Sequence, residues 1–525
     1  MIDGSMQDFA LTLDRFLTHA AKWHPRGEIV TGGAAGIERV DYAELERRAR
    51  AASAVFASLG VRQGDRVATL AWNSQAHVEA WYGLMGIGAV CHTLNPRLTA
   101  PQLAAMVTQS EARLIVASAD LAPLAARIAE QAPLIERVLV IDGEAEQTAA
   151  SVPLTPLETQ ISQASGSVVW GDFPETASSG LCFTSGTTGA PKGVTYTHRG
   201  CFLHTLRTLQ ADVMSIRSAD AVLVAVPMFH ANAWGLPFAV PAAGAKLVLP
   251  GRDTDGASLA RLIAAEGVTI AVGVPTVWLG LADHLERSGE TLPSLERIIV
   301  GGSPLAPALM QRLESQLDVT VQTSWGMTEL SPLGTIAAPG DPERRASVSG
   351  RPAIGVDLLL TDAGGAPLPD QHGGEGHLRV RGAAVVDRYF GQSEPATDAD
   401  GWFATGDLAR IDDHGNLTIT GRAKDLIKSG GEWINPAEIE AVVGALPQVS
   451  LAAVIGREDA KWGERPVLLV EVNDNDVSDE ALLASLKGRV ASWWIPDAVV
   501  RLERMPLAPT GKIDKMHLRA RYGSA

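Results

Sequence analysis

The sequence predicts an α/β protein with a large N-terminal α/β body containing parallel sheets, a small β unit packed against it, and a smaller α+β domain at the C-terminus. Three observations predict this. From about residue 27 to residue 300, short β-branched and aliphatic runs alternate with longer amphipathic stretches, the pattern of parallel strands joined by crossover helices. After Trp325 that alternation stops, and strand-like runs are separated by Gly, Pro and Asp turns. The length, 525 residues, exceeds what one hydrophobic core organises, so two domains or more are expected.

The elements follow in chain order. Residues 66–70, 114–117, 137–141, 221–226, 246–249, 270–274 and 297–300 read as strands of a buried sheet. Residues 258–266 and 306–316, with apolar positions three and four apart, read as two of the helices between strands. In the β unit, 355–360, 375–381 and 417–420 read as strands with no long helix between them. A basic segment, a Gly-Gly pair, an amphipathic helix near 436–444, strands at 451–455 and 467–472, and a helix after Ser478 complete the chain. The domain boundary is placed near Lys424, giving residues 1–424 and 425–525.

Composition narrows the function. With 44 Lys and Arg against 60 Asp and Glu the net charge is −16, and charges of both signs are scattered along the chain, which disfavours a nucleic-acid binder. The N-terminal residues lack a basic region followed by an apolar run, and the apolar stretches are broken well short of the roughly 18 residues that span a bilayer. A soluble, cytoplasmic protein with no transmembrane segment is expected. Cys91, Cys182 and Cys201 are odd in number, far apart and without a CxxC pair, so buried free thiols are expected rather than a disulfide framework or a zinc site. Neither a GxSxG elbow nor an HExxH pair points to hydrolase or zinc chemistry.

The most informative segment is Thr184-Ser185-Gly186-Thr187-Thr188-Gly189-Ala190-Pro191-Lys192-Gly193, directly after a strand-like run. Hydroxyls, backbone N–H groups made accessible by glycine and one ammonium together suit a polyphosphate. The loop is not a Walker A, which would need glycine where Pro191 stands and a hydroxyl where Gly193 stands. On its residues alone, a flexible Ser/Thr/Gly turn remains the alternative.

Five further segments stand in order behind it: Gly301-Gly302-Ser303-Pro304-Leu305, Ser324-Trp325-Gly326-Met327-Thr328-Glu329, the 401–407 run ending Thr405-Gly406-Asp407, Gly421-Arg422-Ala423-Lys424-Asp425, and Pro509-Thr510-Gly511-Lys512-Ile513-Asp514. With TSGTTGAPKG they resemble the adenylate-forming superfamily: acyl-CoA synthetases, aryl-CoA ligases, luciferases and the adenylation domains of peptide synthetases. The resemblance covers nearly the whole chain. It implies an AMP-forming acid-thiol ligase, in which a carboxylate and Mg-ATP give an acyl-adenylate and pyrophosphate, and CoA then gives acyl-CoA and AMP. Mg²⁺ is the implied cofactor, with ATP and CoA as co-substrates. Similar synthetases are commonly dimers, which makes a homodimer the assembly the resemblance suggests.

Carried over residue by residue, the resemblance places ATP and AMP against Thr184, Ser185, Gly186, Thr187, Thr188, Lys192, Gly302, Ser303, Pro304, Trp325, Gly326, Met327, Thr328, Asp407, Arg422 and Lys512. Thr328 and Glu329 suit an Mg²⁺ that bridges phosphates through oxygen ligands and waters. Asp407 resembles the carboxylate that binds both ribose hydroxyls, a task for two acceptor oxygens, with Arg422 as its helper. Trp325 stands where the family often has Tyr; it keeps a flat face for adenine and loses the phenol hydroxyl. Lys512 is implied to reach the site only when the mobile C-terminal domain is docked for adenylation, where it acts catalytically beside Thr184, Lys192 and Glu329. Lys424 occupies the hinge position. Lys428, Ser429, Gly430, Gly431 and Trp433 form the loop implied to lie along the pantetheine arm of CoA.

The segment His230 to Pro237 and the run from Met327 to Pro332 resemble the medium- to long-chain fatty-acyl-CoA synthetase branch. His230, Trp234, Val274, Gly301, Gly302, Gly326 and Leu330 are the candidate acyl-site residues, with Trp234 as a gate or cap. The stretches 227–237, 271–278, 301–305 and 325–334 contain one formal charge, Glu329. A charged substrate tail buried there would have no partner, so an apolar monocarboxylic acid is expected. The alternatives are an aryl or arylalkanoic acid CoA ligase, an acyl-AMP ligase that loads a carrier protein, and a non-catalytic adenylate-binding regulator. A regulator would be expected to lack Lys512 or Glu329, and an acyl-AMP ligase often carries an insertion, none of which is obvious between Asp407 and Arg422.

Overall fold

A computed structural model describes residues 3–33, 36–144, 151–164, 167–184, 191–430, 432–473, 477–508 and 511–524. Among them the strands form nine-, seven-, four- and five-stranded sheets. The N-terminal body thus carries two large sheets, in keeping with the parallel sheets expected, and the alternating runs do not say which strand belongs to which. Hydrophobic periodicity identifies strands; which strands pair is decided by long-range packing, and no local pattern encodes it.

The nine-stranded sheet has a parallel centre, in the order Thr320–Gly326, Arg297–Val300, Ile270–Gly273, Ala221–Val224, Lys246–Leu249 and Glu28–Gly33, with antiparallel strands at both margins. The seven-stranded sheet is parallel from Leu154–Pro156 through Arg137–Ile141, Leu114–Ser118, Arg66–Leu70 and Val90–Thr93 to Ser178–Thr184, and ends in antiparallel Lys192–Thr197. Helices Gly256–Glu266 and Pro307–Leu317 lie within a residue or two of their predicted positions. Asp255 caps the first of these by accepting from Ser258 N.

Some boundaries differ for identifiable reasons. The strand expected over 221–226 ends at Val224, because Asn73 Nδ2 donates to the carbonyls of Val224 and Val226 and draws the chain off the ladder. The strand Val90–Thr93 lacks an apolar run; its His92 is buried beside Ser110 Oγ at 2.9 Å, so a local polar partner replaces hydrophobicity there. The hairpin Glu28–Gly33 and Gly36–Asp41 likewise gives no clear alternation. Cys91, Cys182 and Cys201 are buried and free, and burial pushes their thiols up to about 12, 11 and 12.

The small β unit is an antiparallel meander, Val356–Thr361, Glu375–Gly382, Phe403–Ile411 and Leu417–Arg422. The smaller C-terminal domain follows. Its five-stranded sheet has one core under helices Pro436–Gly444 and Asp479–Ala484 and another under Lys515–Tyr522. Among the described residues no helix is long and apolar enough to cross a membrane.

Two features of this architecture position a site. The carboxyl ends of Ala221–Val224, Ile270–Gly273, Arg297–Val300 and Thr320–Gly326 all open on one edge, where open α/β sheets bind ligands. The small β unit is tied to that sheet at Gly350: Leu417 N donates to Gly350 O at 2.8 Å and Ser349 N donates to Leu417 O at 2.7 Å. Gly350 has φ +73°, and a Cβ there would lie about 2 Å from the backbone of Ile336 and Ala337. Gly350→Ala is expected to destabilise this junction by at least about 2 kcal/mol, combining left-handed strain with a backbone clash. Calorimetry should show an earlier unfolding onset; an unchanged trace would remove Gly350 as a structural tie.

Candidate active site

The centre of the site is built by strand register. Asp407 and Arg422 face each other across the antiparallel ladder of the small β unit, which sets Arg422 Nε 2.7 Å from Asp407 Oδ1. Trp325, near the end of strand Thr320–Gly326, donates its indole Nε1–H to Asp407 Oδ2 at 2.9 Å. Both carboxylate oxygens of this buried group are thus engaged. Burial pushes the Asp407 carboxyl above its ordinary range, although Arg422, Trp325 and Lys512 all pull it down. The sequence gives Trp325 a stacking face; the structure adds a donor function that joins the α/β body to the β unit.

Glu329 sits in the short helical turn Thr328–Leu330 just beyond that strand. Tyr389 donates its hydroxyl to Glu329 Oε1 at 3.0 Å, and the Lys192 ammonium lies 4.8 Å from the centre of the Tyr389 ring. Tyr196 donates to Thr328 O at 2.9 Å, and buried Arg207 donates to the carbonyls of Leu330 and Leu333 at 3.2 and 2.6 Å. Tyr389, Tyr196 and Arg207 belong to none of the motifs, and their contacts span 60 residues or more, so no local pattern could have revealed them. Thr184 ends strand Ser178–Thr184 and pairs with Lys192. Ser185, Gly186, Thr187 and Thr188 lie outside the described residues, as does Gly431.

Lys512 reaches this place from the far end of the chain. A Cβ added at Gly302 would lie 3.3 Å from Val274 Cγ1, 3.9 Å from the Trp234 ring and 4.0 Å from Lys512 Cε. Gly511 approaches Val274 and Thr276 to about the same degree. Burial pulls the Lys512 ammonium below the ordinary lysine range; Arg422 adds to this, and Asp407 and Glu329 oppose it. His230 is held neutral, its pKa lowered to about 4 by burial and then by the Lys512 and Arg97 cations. Arg97, from the loop after Val90–Thr93, stands 5.8 Å from the Phe229 ring and is a cation that the four apolar stretches do not contain.

Trp234 is buried and closes against Gly301, where a Cβ would lie 2.8 Å from its ring. Ala231, Asn232, Ala233 and Trp234 have φ of 41°, 46°, 49° and 55°, and Gly235 follows at 74°. Gly326 is approached by Pro332 O to 2.2 Å of a would-be Cβ, Ser303 and Met327 are partly buried, and Pro304 is exposed. Leu330 is fully buried within the main hydrophobic cluster. Lys428, Ser429 and Trp433 lie in the hairpin Ile427–Ser429 and Glu432–Ile434, where Lys428 lies 5.6 Å from the exposed Trp433 ring.

Across the described residues no group of three or more His, Cys, Asp and Glu could hold a metal unaided. The donors at Thr328 and Glu329 are one hydroxyl and one carboxylate, with Glu329 Oε1 shared with Tyr389. That set fits a hard, strongly hydrated cation completing its shell with phosphate and water oxygens.

A site at the carboxyl edge of a parallel sheet, met by a lysine from the C-terminal part of the chain, suits an enzyme that binds a ligand between two domains. The chain belongs to the AMP-binding enzyme family, which it matches over residues 17–390, with the AMP-binding enzyme C-terminal domain matched over 438–512. A medium-chain-fatty-acid–CoA ligase of Ectopseudomonas oleovorans is 40% identical over 99% of this chain and 97% of the relative. A long-chain-fatty-acid–CoA ligase of Thermus thermophilus is 38% identical over 99% and 97%. The ATP-bound crystal structure of MatB from Rhodopseudomonas palustris superposes with a TM-score of 0.86 at 27% identity, covering 98% of this chain and 99% of that one.

Trp325→Phe keeps a flat ring and removes the donor to Asp407. A hydrogen bond to a buried carboxylate contributes about 1.5 kcal/mol or more, so kcat/KM for ATP in pyrophosphate exchange should fall at least about tenfold. An unchanged value would reduce Trp325 to its ring face.

Proposed function

We propose that this enzyme is an ATP-dependent acyl-CoA synthetase that activates an apolar monocarboxylic acid, most simply a medium- to long-chain fatty acid, through an acyl-adenylate. The observation that carries the reading is Lys512 lodged beside Gly302, with its neighbour Gly511 close to Val274, in the electrostatic field of Asp407 and Glu329. The names of relatives that align over nearly the whole chain give the acid class and the thiol acceptor.

In this reading Asp407 holds the ribose hydroxyls, with its position fixed by Arg422 and Trp325. Thr184 and Lys192 flank the polyphosphate, and Gly302, Ser303, Gly326 and Met327 present backbone to the nucleotide. Thr328 and Glu329 would hold Mg²⁺, which would neutralise phosphate charge; Tyr389 and Tyr196 fix those two residues from behind. The acid's carboxylate oxygen attacks the α-phosphorus and pyrophosphate leaves. Lys512 stabilises the charge that gathers between carboxylate and phosphate, and needs no covalent step to do so. The CoA sulfur then attacks the acyl carbon and AMP leaves. Neutral His230, Trp234, Val274 and Gly301 form the acyl-site wall, with Trp234 closing it.

The second half-reaction uses another face of the same domain. With Lys512 lodged, Lys428, Gly430 and Trp433 stand exposed while Ser429 is buried, which supports a role for the exposed three in the other pose. Residues 425–525 turn as a unit at Lys424, within the short turn Ala423–Asp425, and residues 1–424 carry the fixed half of the site.

Lys512→Ala should lose roughly 10² to 10³ in adenylation, about 3 to 4 kcal/mol of transition-state stabilisation, and still convert supplied acyl-adenylate to thioester. Equal loss in both half-reactions would contradict the assignment. Across a series of saturated acids, each methylene that finds room should improve binding by up to about 0.8 kcal/mol until the pocket ends. Dicarboxylates and benzoate- or cinnamate-like acids are the informative controls, because Arg97 supplies a cation near His230. Higher kcat/KM for either class would replace the fatty-acid reading.

A further inference from the structure

The hinge at Lys424 is spanned by one side chain that no motif contains. Asn435 is buried at 5% exposure and caps helix Pro436–Gly444, its Oδ1 accepting from Ala437 N at 3.2 Å. Its Nδ2 donates to Thr420 O at 2.6 Å, and more weakly to Glu438 Oε1 at 3.4 Å. Thr420 lies four residues before the hinge, on the strand that presents Arg422 to Asp407. Asn435 lies eleven residues after it, in the C-terminal domain. The Asn435–Thr420 hydrogen bond therefore joins two bodies whose relative rotation must break it. The contact is fitted: a Cβ at Gly421 would lie 2.6 Å from Asn435 Oδ1, so glycine is what admits the amide against the strand.

We infer that Asn435 is a positioning residue that latches the C-terminal domain across the hinge in the pose that lodges Lys512, and so favours adenylation over thioester formation. This rests on the proposed two-pose reading. The amide does two tasks that can be separated. An aspartate at 435 would still cap the helix, because its carboxylate accepts from Ala437 N, but it has no donor for Thr420 O and sets a negative charge against that carbonyl.

The test uses the full-length enzyme and separates the half-reactions. In Asn435→Asp, pyrophosphate release from acid and ATP should fall about tenfold, while thioester formation from supplied acyl-adenylate and CoA stays the same or rises. Lys512 should also become more reactive toward an amine-acylating reagent, read by mass spectrometry of its peptide, which a merely structural role for Asn435 would not produce. Gly421→Ala, which pushes a methyl group into the same amide from the other side of the hinge, should shift the two half-reactions in the same sense. Equal loss in both half-reactions, no change in either, or unaltered Lys512 labelling would overturn the latch. Wild type and Lys512→Ala run alongside. If wild type releases no pyrophosphate with any acid, or Lys512→Ala loses both half-reactions equally, it is the two-pose reading that has failed, independently of Asn435.

Discussion

Taking the Lys512 ammonium group out of water carries a cost, and much of the site is arranged around it. Lys512 is held below its ordinary basicity by burial, with Asp407 and Glu329 offsetting only part of the penalty. Asp407 is committed to Arg422 and Trp325, and Glu329 to Tyr389. With Lys192 and Arg97 nearby, the cations named at the site outnumber the carboxylates, a balance that a polyanion restores. Burial is the main reason His230 is neutral, and the field of Lys512 and Arg97 adds to it, since a third cation there would raise the cost again.

A second cost is conformational. Four consecutive non-glycine residues, Ala231 to Trp234, lie in the left-handed region, each at about 1 to 2 kcal/mol relative to ordinary backbone. Such a run persists only where its surroundings over-determine it. Here all four are buried, and Asn232 Oδ1 accepts from Thr93 Oγ1 at 3.4 Å. The result is that Trp234 is aimed edge-on at Gly301, a position that permits no side chain. On the proposed reading, the acyl-site wall and the nucleotide strand would thus meet through one ring and one missing Cβ, which would couple the shape of one subsite to the other.

The motifs were legible because each is local: a loop, a strand end or a turn whose residues act within a few positions of one another. The elements that carry them were legible where apolar spacing is regular, as in Arg66–Leu70 and Pro436–Gly444. What escaped is non-local or polar. Nothing in the sequence pairs Tyr389 with Glu329, Arg207 with the Leu330 and Leu333 carbonyls, or Arg97 with the His230 neighbourhood. The strand Val90–Thr93 was hidden because His92 and Thr93 are buried by polar satisfaction and not by an apolar run. The assignment of strands to the two sheets of the body escaped for the related reason that strand order is a property of the whole fold. Composition likewise showed the charge-poor stretches of the acyl wall but not the arginine that another sheet brings beside them.

On the two-pose reading, the partly buried Lys512 also explains how the enzyme leaves adenylation once it is finished. Docking and nucleotide binding are linked, so whatever anion favours the lodged lysine is itself held more tightly by the docked domain. While triphosphate and carboxylate are both present, their negative charge repays the desolvation of Lys512 and the docked pose is favoured. When pyrophosphate departs, most of that charge leaves, and the remaining acyl-adenylate carries a single phosphate charge. The ammonium then regains more from water than from the site, and the balance tilts toward release. A shift of only about 1.4 kcal/mol changes the ratio of poses tenfold, well within what the loss of a neighbouring anion supplies in a partly buried site. Opening therefore needs no separate signal, because the chemistry removes the charge that held the domain in place.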